Sequence, residues 1–230
     1  MHIFSSIRCV TFDLDDTLWP CEPTILNAEQ ALYSWLQNRY PRITQQYSFE
    51  GLKEQRAAYG KVHPELAHDV TALRRQSLAE LAKEFDYSPE LASEGLVLFR
   101  KFRNRVTFFD DAFATIDALK KHFKIGAITN GNADLDIIGV RDKFDFVVTA
   151  EKAGAAKPDK KIFQYAQNQV QLASNQIVLV GDTPHVDMLG AKLSGWRAIW
   201  FNPQKVPWLG KMKPDAEVQQ LNQLRALLIN

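Results

Sequence analysis

The sequence is short of several features that would narrow its function at once. Of 230 residues only two are cysteine, Cys9 and Cys21. That is too few for a disulfide framework in a chain of this length, and reduced thiols in a cytosol are the reading they favour. No set of histidines and cysteines has the spacing of zinc ligands. With Lys+Arg at 28 and Asp+Glu at 27, the formal net charge is +1. There is no basic surplus to hold a polyanion, so nucleic acid is not expected as a general partner. No apolar run approaches the length of a membrane span, and Met1-His2-Ile3-Phe4-Ser5-Ser6 lacks the basic and apolar regions of a secretory leader. Repeats, low-complexity tracts and long linkers are missing too. These absences leave a soluble, cytoplasmic protein with no membrane and no protein partner indicated.

What is present is ordinary globular composition, 46% hydrophobic and 24% charged, in a chain long enough for one large domain or a core carrying an inserted smaller one. Ile7 to Phe12 reads as a first strand. From Pro23 the period changes: Ile25, Ala28, Leu32, Trp35 and Leu36 recur at three and four until Tyr40-Pro41. Ser48, Pro64 and Ser88-Pro89 then open three further helical stretches, so residues 23–106 read as a four-helix insertion. Beyond Thr107 short apolar runs alternate with helices. Ile125–Thr129, Phe144–Val148, Gln176–Asp182 and Gly195–Phe201 read as strands, and Val218–Leu228 as a last helix. Strands alternating with helices imply βαβ units, hence an α/β fold with a doubly wound, mostly parallel Rossmann-like core in residues 1–22 and 107–230.

In such sheets ligands bind beyond the carboxyl ends of the strands, so the residues that close each apolar run carry the information. The first strand ends in Asp13 and Asp15, which share a face because strand side chains alternate with period two. Two carboxylates that close are costly unless a cation lies between them or one is protonated. The second strand ends in Thr129-Asn130-Gly131, Lys157 precedes Pro158, and a further strand ends in Asp182, with Asp187 five residues on. Carboxylates, a hydroxyl, exposed amides and a lysine suit a phosphate held beside Mg²⁺, which prefers oxygen ligands. Taken singly each has a plainer explanation: strand-end Asp and Thr form turns, and a lone lysine is usually solvated. Asp16, facing away, suits a turn or helix cap.

The stretches Phe12 to Leu18 (FDLDDTL), Ile128 to Asn132 (ITNGN), Lys157-Pro158 and Gly181 to Asp187 (GDTPHVD) resemble the four motifs of the haloacid dehalogenase-like hydrolase superfamily. The resemblance covers the whole chain, because a helical insertion after the first motif is similar to the cap of one subgroup. It implies a Mg²⁺-dependent phosphatase of small phosphorylated metabolites. Asp13 is then nucleophile and metal ligand, and Asp15 is the acid and base, reaching the metal chiefly through its backbone carbonyl. Asp182 is the further ligand, and Thr129, Asn130 and Lys157 hold phosphate, with Asp187 and Thr17 in support. The namesake dehalogenases lack the second carboxylate of the first motif, and Asp15 is present here. A phosphomutase, or a phospho-ligand-binding regulatory module with little turnover, remains as an alternative. At finer grain the chain is similar to bacterial phosphatases of flavin mononucleotide or of the phosphorylated ribitylaminouracil precursor of riboflavin, a likeness that extends to His68–Thr71 and Lys101–Arg105. Trp19, His63, His68, Arg74 and Arg103 are candidates to read the organic part of a substrate, while His185 shapes its loop.

Overall fold

A computed structural model describes residues 3–229 of the chain. Met1, His2 and Asn230 lie outside the described residues, and so does the part of the leader expectation that rests on the first two. The chain forms two compact units. One takes in the residues up to Pro20, Thr107–Gly131 and the chain from Gly139 onward; the other takes in Cys21–Val106 with Asn132–Ile138.

The first unit is built on six strands: β1 (Cys9–Phe12), β2 (Lys124–Thr129), β3 (Phe146–Thr149), β4 (Ile177–Gly181), β5 (Arg197–Phe201) and β6 (Ala216–Val218). Their order is β3-β2-β1-β4-β5-β6, and every pairing is parallel. β1 and β4 are buried at every position, which is why they read as unbroken apolar runs rather than as alternating ones. Winding runs outward from β1 to β3 on one side and from β4 to β6 on the other. The order therefore reverses between β1 and β4, which is where such sheets open a crevice. One face of the sheet packs Ile128, Val148, Leu179 and Ala198 against Ile162, Phe163 and Trp196.

The end of the chain departs from the helix expected over Val218–Leu228. Ala216–Val218 is the edge strand, and only Gln223–Leu228 is helical. Val218, Leu221, Leu224 and Leu228 are all buried, so their spacing imitates one helical stripe. Pairing with the open edge of β5 outweighs that local pattern, and the Val218 carbonyl accepts the Asn202 amide at 2.8 Å.

The second unit contains α1 (Cys21–Arg39), α2 (Pro41–Gln46), α3 (Phe49–Val62), α4 (Val70–Glu84) and α5 (Glu90–Arg103). α1 ends at Arg39, at the expected stop, and Pro41 then opens a further short helix, α2, because proline suits the first helical position. Ser48 caps α3 by accepting the Gly51 amide at 3.1 Å, and Asp69 caps α4 through the Ala72 amide at 2.8 Å. Leu32, Leu36, Leu78, Leu81, Leu91 and Phe99 form its core. Asn132–Ile138 joins these helices late in the chain: Asp134 pairs with Arg100 at 2.9 Å, and its amide donates to Asn104 Oδ1 at 2.7 Å. Among the described residues no helix is long and apolar enough to cross a membrane.

Candidate active site

The loops after β1, β2 and β4 and the segment around Lys157 meet at the carboxyl ends of the central strands. Asp13 continues β1 and donates its amide to Val180 O at 2.9 Å, so the ends of β1 and β4 are tied together at the point of reversal. Lys157 is buried among the groups it serves. Its ammonium lies 2.7 Å from Asp13 Oδ1 and 2.7 Å from Asp187 Oδ1, and donates to Ile128 O at 2.9 Å. Solvent-facing lysine is the ordinary fate of that residue type, and here tertiary structure reverses it.

Asp187 reaches Lys157 because of two local features. After β4 the chain makes one turn of π-helix, Pro184–Met188, in which the Asp187 and Met188 amides both donate to Thr183 O. Gly181 leaves room for it: a Cβ there would lie 2.6 Å from the Asp187 carboxyl carbon. Asp187 Oδ2 then accepts the Thr183 amide at 3.0 Å. Asp182 is held by Thr183 Oγ1 at 3.0 Å and Thr17 Oγ1 at 3.4 Å, while its carbonyl accepts the Trp200 indole N–H at 2.7 Å. Trp200 is buried in β5, and nothing in a strand pattern discloses which polar atom such an indole will meet.

The electrostatics follow from crowding. Carboxylate oxygens of Asp13, Asp182 and Asp187 lie within 4.8 Å of one another, against the one ammonium of Lys157. Burial pushes the Asp13 carboxyl up to about 8; Lys157 opposes that shift, and Asp187 adds to it. Asp182 is raised to about 6, again by burial first and then by Asp187. Lys157 is held above the usual lysine range: burial opposes its charge, but the carboxylates of Asp13 and Asp187 prevail. A site with this excess of buried negative charge is incomplete without a cation or protons.

The remaining expected residues sort by what their side chains touch. The Asp15 carboxylate is not among the three clustered ones; its Oδ1 accepts the Trp19 indole N–H at 2.9 Å. The Thr129 hydroxyl accepts the Gly131 amide at 2.9 Å. The Asn130 side chain exchanges bonds with the Lys157 backbone, accepting its N–H at 2.7 Å and donating to its carbonyl at 3.0 Å. It thereby fixes the lysine's loop. Asp16 sits at φ 57° and donates its amide to Trp19 O, as a turn former.

In the helical unit, Arg74 forms a fork on Glu29 rather than offering itself to a ligand, with bonds of 2.8 and 3.2 Å. Asp69 is a helix cap, His63 stacks on Tyr59 and pairs with Glu65 at 2.9 Å, and Arg103 Nε donates to Asn132 Oδ1 at 3.3 Å. His185 is exposed.

The carboxylate and lysine cluster thus lies at the reversal point of a doubly wound parallel sheet, the place where such sheets bind small ligands. The model of the haloacid dehalogenase-like hydrolases matches residues 7–195, and the chain belongs to that family. The 5-amino-6-(5-phospho-D-ribitylamino)uracil phosphatase YigB of Escherichia coli (strain K12) is 33% identical over 96% of this chain and 96% of its own. A glyceraldehyde 3-phosphate phosphatase of Pyrococcus furiosus is 27% identical, covering 96% of this chain and 93% of its own. Among solved structures, a 2-haloacid dehalogenase from Pseudomonas syringae pv. Tomato DC3000 superposes with a TM-score of 0.91 at 39% identity, over 97% of this chain and 98% of that one. The chain is a hydrolase, and both of these curated relatives are phosphoric monoester phosphatases.

Proposed function

We propose that the chain hydrolyses small phosphate monoesters through an aspartyl phosphate on Asp13, with Mg²⁺ as its cation and the helical unit as the element that selects substrate. The observation that carries this reading is the convergence of Asp13, Asp182, Asp187 and Lys157 beside Asp15 at one strand-end crevice. The donor set is all hard carboxylate oxygen, uncompensated by one lysine, and that fits Mg²⁺. The side chains of Asp13 and Asp182 would hold the ion, with Asp187 next to them and the Asp15 carbonyl in reach by sequence. When bound, it neutralises phosphate charge and steadies the phosphoryl group for in-line displacement.

The chain's own residues then divide the work. An Asp13 oxygen attacks phosphorus, and the bond from phosphorus to the ester oxygen breaks as Asp15 delivers a proton to that oxygen. Water next gives its proton to Asp15 and attacks phosphorus, which breaks the bond to Asp13 and frees phosphate. Lys157 stabilises the charge on the phosphoryl oxygens and on Asp13. The Thr129 hydroxyl, fixed as an acceptor of the Gly131 amide, keeps its O–H to donate to phosphate, and backbone amides around Leu14, Asp15 and Asn130 add further donors.

The likeness to a 2-haloacid dehalogenase favours a second reading, displacement of halide by the same Asp13. Asp15 separates the two. Halide departs as a stable anion without a proton, whereas an alkoxide needs one, and a carboxylate on the same face as the nucleophile serves only the second case.

The test is phosphate release from a panel of monoesters that includes flavin mononucleotide and the ribitylaminouracil phosphate, beside chloride release from 2-chloropropionate. Phosphate release that depends on Mg²⁺, and that falls at least about 10³-fold in Asp13→Asn, is the expected result. Undiminished release in that variant would overturn the aspartyl-phosphate mechanism. Isomerised sugar phosphate in place of free phosphate would mark a mutase, and tight ligand binding without turnover a regulatory module. The flavin-pathway assignment rests on the name of the E. coli relative and stands or falls with the ranking of substrates in that panel.

A further inference from the structure

Trp19 is wholly buried at the end of the loop that follows β1, one residue before the last core residue ahead of α1. A buried indole normally places its N–H on an acceptor, and this one donates to Asp15 Oδ1 at 2.9 Å. The loop between the two residues is itself closed. Trp19 O accepts the Asp16 amide at 2.8 Å, and Leu14 O accepts the Thr17 and Leu18 amides at 3.2 and 2.8 Å. The ring is fixed from the other side as well, because it meets Phe108 edge to face with centroids 5.0 Å apart and planes at 79°. Leu18 O accepts the Phe109 amide at 2.9 Å, which ties the outgoing chain to the returning one. The indole is thus a rigid donor on a rigid loop, aimed at the carboxylate that the mechanism needs to move a proton.

We infer that Trp19 is a positioning residue for the reaction: its indole N–H sets the rotation of the Asp15 carboxylate, and so determines where the proton for the leaving alkoxide is delivered. This rests on the phosphatase reading above and adds to it a residue outside the carboxylate, lysine and hydroxyl set. An aspartate has two soft torsions, and proton transfer is efficient only at hydrogen-bond distance from the departing oxygen. One fixed N–H removes much of that freedom before substrate arrives. The plainer view is that Trp19 fills space and Asp15 merely satisfies its N–H.

Leaving-group dependence separates the two. An alkyl phosphate needs the proton that Asp15 gives, whereas p-nitrophenyl phosphate departs as a stabilised phenolate and hardly does. In Trp19→Phe, which keeps a ring and loses the donor, kcat/KM for an alkyl monoester, which reports the steps up to departure of the alkoxide, should fall about tenfold or more, part of the roughly 10²–10⁴ that acid-base help supplies. kcat/KM for p-nitrophenyl phosphate, which leaves out the later hydrolysis in which Asp15 is the base, should stay within about threefold on the same scale. Trp19→His, which restores a ring N–H, should narrow the gap between substrates. Phe108→Leu, which loosens the packing and leaves the donor, should not open one. Equal losses on both substrates in Trp19→Phe, no loss on either, or a gap of the same size in Phe108→Leu would each overturn the inference while the wild type still hydrolyses both esters. No phosphate from the wild type with either ester would overturn the phosphatase reading and the inference with it. The readout is a ratio of rates on one preparation, so it does not depend on the folded fraction; if Trp19→Phe gives no soluble protein, Trp19→Leu, also without the donor, takes its place.

Discussion

Each unit buries a cluster of charges, and the two clusters are settled in opposite ways. In the helical unit Glu29 on α1 is gripped by two arginines, Arg74 on α4 and Arg56 on α3. Each approaches at 2.8 Å at closest, and Arg74 also lies 3.4 Å above the Phe99 ring of α5. Burial alone would raise the Glu29 carboxyl, but the hydrogen bonds and charges of Arg74 and Arg56 hold it below its ordinary value. Arg74 is pushed down to about 10 by burial and by Arg56, so it is still charged at neutral pH. Both arginines meet the one Glu29 carboxylate, and the cluster ties helices together. In the core three carboxylates share one ammonium, and two of them are pushed toward protonation. A carboxylate gripped by cations holds a fold, whereas carboxylates in excess of their cation reserve a place for something the chain itself does not supply.

The sharpest way to break that contrast is to remove the charge at the centre of each cluster. Lys157→Met leaves Asp13 and Asp187 buried without their ammonium and takes a cation from the phosphoryl oxygens. Steady-state rates should show kcat/KM for phosphate release falling about 10²-fold or more. Glu29→Ala leaves two arginines facing each other, and urea unfolding should show a loss of about 3–5 kcal/mol, as for breaking a buried pair. Its kcat per folded molecule should not change. If Glu29→Ala abolished turnover in protein that still folds, the division between a structural and a chemical cluster would fail.

A smaller effect tests the vacancy of charge directly. In cation-free protein the folded state retains protons on Asp13 and Asp182 that the unfolded chain has released, since their carboxyls stand at about 8 and about 6 against an ordinary 3.8. Their contribution to stability therefore falls as pH rises from about 4 to about 8. On the proposed function Mg²⁺ binds the deprotonated carboxylates, so the rise in melting temperature that it produces should grow across the same window. At a hundredfold excess over Kd the stabilisation is about 2.7 kcal/mol. A stabilisation by Mg²⁺ that is the same at pH 5 and pH 8 would mean that those carboxyls are not where the ion sits.

How far the sequence discloses these two clusters also differs, and for a physical reason. The meeting of Asp13, Lys157 and Asp182 was legible because each closes an apolar run or precedes a proline, and the rule for parallel sheets brings such ends together. The parallel, doubly wound sheet was legible from strands alternating with helices, apart from β6, whose buried residues carry a helical spacing. The pairing of Asp187 with Lys157 was not, since it depends on a π turn and on the space left by Gly181. Nor was the use of the Asn130 side chain, which looks like a phosphate ligand in sequence and serves the Lys157 backbone in space. The Glu29 cluster left no trace at all. Glu29 and Arg74 stand 45 positions apart on separate helices, and a charged residue on an amphipathic helix reads as solvated until the partner helix is known.

The smallest expected effect is the acid limb of the helical unit. Because Glu29 is held below its ordinary 4.5, its contribution to stability is fully present above that value and is lost as pH falls through the folded-state value. Protonation would leave the buried Arg74 and the half-buried Arg56 around a neutral acid. Urea midpoints followed downward from pH 5 should therefore drop more steeply in the wild type than in Glu29→Gln, which cannot titrate and begins from a lower midpoint. The two curves should converge in strong acid. Parallel curves would show that the acid sensitivity belongs elsewhere. The Glu29 cluster would then be held by hydrogen bonds that survive protonation rather than by charge.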